Sequence, residues 1–142
     1  MRRVVADASV VIKWVFPFRD DEADSAKAAE LIAAFNRGAI ELLEPPHWLA
    51  EAAAVISRQS PVTARRDIGI LCALGVPTVD LPEVYAVACD IGVATGQHVF
   101  DTLYHAVALL SGDCALVTAD ERYYRRAHEL GAVFLLSQFQ LP

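Results

Sequence analysis

Four carboxylates stand out in this 142-residue chain by where they sit. Asp7 closes the apolar run Val4-Val5-Ala6, and Asp120 comes just after a second such run, Cys114 to Thr118. Asp101 lies in the first turn of a stretch that is apolar nearly all round, Val99 to Leu110. Glu51 rides on an amphipathic segment with Trp48, Leu49, Ala52, Val55 and Ile56. A charge among apolar neighbours either neutralises or finds a cation. Carboxylates gathered in one place repel one another unless cations lie between them, and hard divalent cations favour such oxygen ligands. Two such ions ~3.5–4 Å apart can activate a water and stabilise the leaving oxygen of a phosphodiester. Metal-assisted hydrolysis is therefore the chemistry these acids permit. Each also has a plainer reading: a helix cap for Asp7 and Asp120, a helix-dipole carboxylate for Asp101, a solvated helix face for Glu51.

Bringing the four together requires elements that point them at one edge. Arg3 to Ala6, Ile40 to Leu43, Val76 to Val79, Cys114 to Thr118 and Ala132 to Leu136 read as five short apolar strands. Between them lie helical patterns: Ser9 to Trp14; Ala28, Leu31, Ile32 and Phe35, ended by Gly38; the Glu51 segment, broken at Ser60-Pro61; Ala64, Ile68, Leu71 and Cys72, ended by Gly75; Val84, Val87, Ala88 and Ile91, with Asp80-x-x-Glu83 spaced as a capping box; Val99 to Leu110; and Asp120 to Leu130. Phe16 to Glu22 reads as a loop, whose Phe16-Pro17-Phe18 is either a partner contact or tucked onto the core. Alternating strands and helices predict an α/β, three-layer sandwich, a five-stranded parallel sheet between helices, as one domain over residues 1–142. In such sheets ligands bind beyond the carboxyl ends of the strands, where Asp7 and Asp120 fall.

Composition narrows the class. Hydrophobic residues reach 55%, above the usual range for soluble domains, yet no run approaches the ~18 apolar residues of a membrane span. Buried parallel strands, or an apolar face covered by another chain, account for the excess. The basic-then-apolar start is too short for a secretory signal. Cys72, Cys89 and Cys114 have neither disulfide nor zinc-ligand spacing, so a reduced, cytoplasmic setting is expected. The net charge of −6 argues weakly against nucleic acid, although clustered carboxylates supply part of it.

The chain resembles the PIN-domain family and, within it, the VapC-type toxins of toxin–antitoxin pairs. The likeness rests on Val4-Val5-Ala6-Asp7-Ala8-Ser9, Pro46-His47-Trp48-Leu49-Ala50-Glu51, Phe100-Asp101-Thr102-Leu103-Tyr104-His105-Ala106-Val107-Ala108 and Leu116-Val117-Thr118-Ala119-Asp120-Glu121-Arg122. It departs at Ala54, where members often carry Asn. The resemblance implies a Mg2+- or Mn2+-dependent endoribonuclease, typically a homodimer, inhibited by a cognate antitoxin. It assigns Asp7, Asp101 and Asp120 to the metal and Glu51 to their support, with the hydroxyls of Ser9 and Thr118 orienting a carboxylate or a water. Arg122 and Arg126, four apart on one helix, and Lys13 then become candidates for RNA phosphates; Arg65-Arg66 reads as plain surface.

His98 and His105 read as structural, while His47 and His128 give no signal. Rival enzyme classes fit less well. Aspartate-nucleophile phosphatases want a second Asp where Ser9 stands, phospho-receivers a Lys after the last strand, and a dinucleotide site G-x-G-x-x-G. A catalytically degenerate PIN-like scaffold is the non-enzymatic alternative.

Overall fold

A computed structural model describes residues 2–17 and 24–142. The part of the expected loop from Phe18 to Glu22 lies outside the described residues; Phe16 packs on the core and Pro17 is exposed. The chain runs β1 (Arg2–Ala6), α1 (Ala8–Val15), α2 (Ser25–Asn36), β2 (Ile40–Leu42), α3 (Trp48–Gln59), α4 (Ala64–Ala73), α5 (Pro82–Thr95), α6 (Val99–Leu110), β3 (Cys114–Thr118), α7 (Glu121–Ala127) and β4 (Val133–Leu135).

All strand pairs are parallel, in the order β2-β1-β3-β4. The central strands are the apolar ones: β3 is buried throughout and β1 from Val4 to Ala6, as a sheet covered on both faces requires. Helix α6 packs on both of them, and its residues Thr102 to Ala108 are buried without a break, as its all-round apolar pattern predicts. Among the described residues no helix is long and apolar enough to cross a membrane.

The sheet has four strands, not the five expected. Val76 to Val79 makes only an isolated parallel bridge, Glu44 opposite Thr78. Glu44 N–H donates to the Pro77 carbonyl (3.0 Å) and Val79 N–H to the Glu44 carbonyl (2.9 Å). The next rung would need an N–H from residue 77, which proline lacks, so the ladder stops there.

Two helix ends also differ from expectation. Helix α5 starts at Pro82 with Leu81 at its N-cap and no side-chain cap. Proline is well suited to that first position and sets the start two residues past Asp80. Asp80 accepts instead from the Tyr85 hydroxyl (2.8 Å). Helix α7 ends at Ala127, and His128–Leu130 tighten into a 3-10 turn.

Candidate active site

The strand-to-helix turns after β1 and β3 lie side by side and are stitched together by two hydroxyls. Asp7 is the N-cap of α1: its Oδ1 accepts from Ser9 N–H (3.1 Å) and from the Ser9 hydroxyl. The same Ser9 Oγ accepts from Ala119 N–H (2.9 Å), directly before Asp120. On the other side, the buried Thr118 hydroxyl hydrogen-bonds Asp7 and accepts from Asp120 N–H (3.0 Å). Asp120 caps α7, accepting from Tyr123 N–H (3.0 Å). The plain capping role and the clustered role therefore coexist: each Asp caps its own helix while the hydroxyls between them hold the two turns in register.

Burial pushes the Asp7 carboxyl up to about 6, against the hydrogen bonds of Ser9, Thr118 and the Val10 backbone; the charge of Asp120 adds to the rise. A carboxylate whose charge is disfavoured this way is one that a cation would stabilise.

Asp101 comes from a third element, the first turn of α6. The expectation that it is enclosed by apolar neighbours is corrected. The residue is exposed at the helix mouth, with only its carboxyl partly withdrawn from water. That withdrawal raises its pKa, Glu51 and Asp120 raise it further, and His98 and His47 oppose. Glu51, from α3, takes a hydrogen bond from the Tyr104 hydroxyl and stands 3.3 Å from His47 Nε2. His47 Nε2 also donates to the Phe100 carbonyl (2.8 Å), and its ring lies 4.9 Å from that of Tyr104. The start of α3 is thus pinned to the start of α6, which brings Glu51 within electrostatic reach of Asp101. His47 gave no signal in the sequence, although its i,i+4 spacing to Glu51 is the trace it leaves there.

Glu44 was also missed. It follows β2 as Asp7 follows β1, and the Pro45-Pro46 break after it masks the parallel. Its side chain is 1% exposed. One oxygen accepts from Ala6 N–H (3.0 Å), and the other has no hydrogen-bond partner. Burial holds this carboxyl well above the usual range, against the Ala6 hydrogen bond, and the charges of Asp7 and Glu51 add to the shift.

The candidate phosphate-binding cations separate. Lys13 lines a cleft of about 410 Å³ with Ser9, Arg58, Gln59 and Ala119, beside Asp7. Arg58 was not singled out in the sequence. Arg122 and Arg126 are both exposed, and the Arg126 guanidinium approaches Gly96, at the C-terminal end of α5. That end carries a partial negative charge, which favours a cation there. His105 is structural, as expected: its ring bridges the Tyr123 hydroxyl (3.0 Å) and the Gly131 carbonyl (2.8 Å).

An oxygen-only donor set in which Asp7 and Asp101 are held above the ordinary carboxylate range suits Mg2+ or Mn2+ by type. Among the described residues no three His, Cys, Asp or Glu side chains form a ready-made ion cluster. Magnesium commonly binds through one or two carboxylates and keeps several waters, so the residues fit an ion of that kind rather than a closed protein cage.

Residues 4–129 match the PIN domain family model, and the chain belongs to that family. PIN domains are generally nucleases. The fold is similar to the crystal structure of PAE2754 from Pyrobaculum aerophilum, with a TM-score of 0.67 at 15% identity over 96% of this chain and 90% of that one. No curated protein matches the sequence.

Proposed function

We propose that this chain is a divalent-cation-dependent endoribonuclease, the toxin of a toxin–antitoxin pair. The observation that carries the reading is the pair of aspartates, Asp7 and Asp120, capping the helices after the adjacent parallel strands β1 and β3, their turns joined through Ser9, with Asp101 close enough for Glu51 and Asp120 to raise its pKa, in a PIN domain. Asp7, Asp101 and Asp120 would hold Mg2+ or Mn2+, with Glu51 in support. Such an ion supplies a more acidic water and a counter-charge for the leaving oxygen.

The remaining work falls to the chain itself. The Ser9 and Thr118 hydroxyls keep Asp7 aimed, so its geometry does not depend on the ion. Tyr104 and His47 hold Glu51 at the wall of the site. Lys13 and Arg58 give the adjoining cleft a positive lining for the RNA backbone, offsetting the global charge of −6. A homodimer and a cognate antitoxin complete the reading. It is supported by exposed apolar side chains on or beside α5 and α6, namely Leu81, Tyr85, Val93, Val99 and Phe100.

The test is cleavage of an RNA panel with Mg2+ or Mn2+, with and without EDTA, by wild type, Asp7→Asn and Asp101→Asn. Metal-dependent cleavage lost in both variants supports the reading, and full activity in EDTA sinks it. A chain that binds RNA but cuts none of the panel would be a silent PIN scaffold.

A further inference from the structure

Among the described residues, four buried polar side-chain atoms lack a hydrogen-bond partner, and three of them belong to Glu44, His47 and Trp48, around the β2–α3 connection. Buried polar groups are nearly always paired, so unpaired ones need a physical account. The Glu44 oxygen is the most demanding. Neutral or charged, a carboxyl in a site closed to solvent wants a partner on both oxygens, and here only one is served, by Ala6 N–H.

The backbone of Glu44 gives no room to escape. Its N–H and C=O are both engaged by the 77–79 segment, fixing the residue at the end of β2. Its electrostatic neighbours are Asp7 and Glu51, and the Tyr104 hydroxyl lies in the field of Glu51, Glu44 and Asp7 together. Through Ala6 N–H, one residue before Asp7, the Glu44 carboxyl lies beside the strand end that carries the first of the acids. An apolar side chain there would be cheaper for folding than a half-satisfied acid. What a fifth acid adds is negative potential and an acceptor beneath a cation.

We propose that Glu44 is a positioning residue of the cation site, whose second oxygen takes a hydrogen bond from the hydration water of a divalent ion held by the outer acids. This rests on the reading of Asp7, Asp101 and Asp120 as the cation's ligands, and extends it to a residue outside that set. Glu44 does not touch the reacting phosphate. It acts through the ion's water and, by way of Ala6 N–H, on the strand end that carries Asp7.

The experiment is calorimetric titration of Mg2+ or Mn2+ into the full chain, without RNA, for wild type, Glu44→Gln, Glu44→Asp and Asp7→Asn. Glu44→Gln keeps an oxygen for Ala6 N–H but puts an amide NH2 where the free oxygen was. Its circular dichroism and metal-free melting stay near wild type, while cation affinity falls about tenfold or more, the range for removed outer-shell partners. Glu44→Asp, which retains a carboxyl drawn back by one methylene, falls between them. Wild-type affinity in Glu44→Gln overturns the proposal, because Glu44 is then only an acceptor for Ala6. Should Glu44→Gln fail to fold, Glu44→Asp carries the comparison, and affinity equal to wild type has the same consequence. If wild type binds the ion and Asp7→Asn abolishes binding while the Glu44 variants do not change it, this inference alone fails. If wild type binds no ion, the reading of the whole site fails with it.

Discussion

Asp7 shows how a single residue is set between folding and function. Its carboxyl sits at about 6, above the ordinary 3.8. The folded state therefore holds this proton more tightly than the unfolded one. The associated stability is present below about pH 4 and lost as pH rises through about 6, a loss of roughly 3 kcal/mol in the metal-free protein. Asp7→Asn is neutral throughout and keeps an oxygen for the helix cap. Its metal-free melting temperature is expected to exceed that of wild type at pH 8 and to converge with it near pH 4, while RNA cleavage is lost. Thermal melts across pH, with cleavage assays, check both halves. Ser9 works in the opposite direction. Ser9→Ala removes a donor to Asp7 and the acceptor of Ala119 N–H, costing ~1–3 kcal/mol. Because Asp7 is then less well aimed, cleavage at limiting cation falls about tenfold and partly recovers at high cation; denaturant titration and cation-dependent rates test the pair. Asp7 and Asp120 stand out in the sequence by their places after apolar runs, Asp101 by its place at the start of an apolar helix, and Glu51 chiefly through the family resemblance. Glu44 does not stand out, because only burial separates it from an ordinary strand-end acid, and burial is a tertiary fact.

At the scale of elements, the pattern of apolar residues located every helix that carries an acid, since period and composition agree along each of them. It failed where one backbone atom decides. Val76-Pro77-Thr78-Val79 has the composition of a strand, and the missing N–H of Pro77 reduces it to a bridge. Asp80 has the spacing of a cap, and Pro82 starts the helix without it. The arrangement of helices around the site depends on a lock equally hard to see in sequence. His105, fully buried on α6, joins α7 through Tyr123 and the turn before β4 through Gly131. His105→Ala leaves a cavity and two groups without partners, and urea unfolding is expected to report a loss of about 2–4 kcal/mol. Far-UV circular dichroism in the absence of urea should be little changed.

The whole molecule is more apolar than a lone domain of its size requires, and the structure shows where part of the excess lies. Val93 is 89% exposed and Phe100 66% exposed, one on α5 and the other next to Asp101 on α6. If this surface joins two copies, Val93→Glu places a charge in the contact and shifts the mass seen by sedimentation velocity from dimer to monomer, with the monomer's melting temperature nearly unchanged. A wild-type chain that sediments as a monomer at all concentrations counts against the dimer.

The Ser9–Ala119 hydrogen bond spans 110 positions of sequence, and β1 finds its inner neighbour only in β3. Contacts so distant along the chain form late, because closure of the intervening loop must come first. A growing polypeptide that has reached residue 113 already carries Asp7, Glu51 and Asp101, yet has no β3 to set beside β1, no Thr118 and no Asp120. During synthesis on the ribosome, the nascent chain therefore lacks an assembled acid site until nearly the last strand has emerged; under the proposed function, that delay would keep it from cutting the RNA around it.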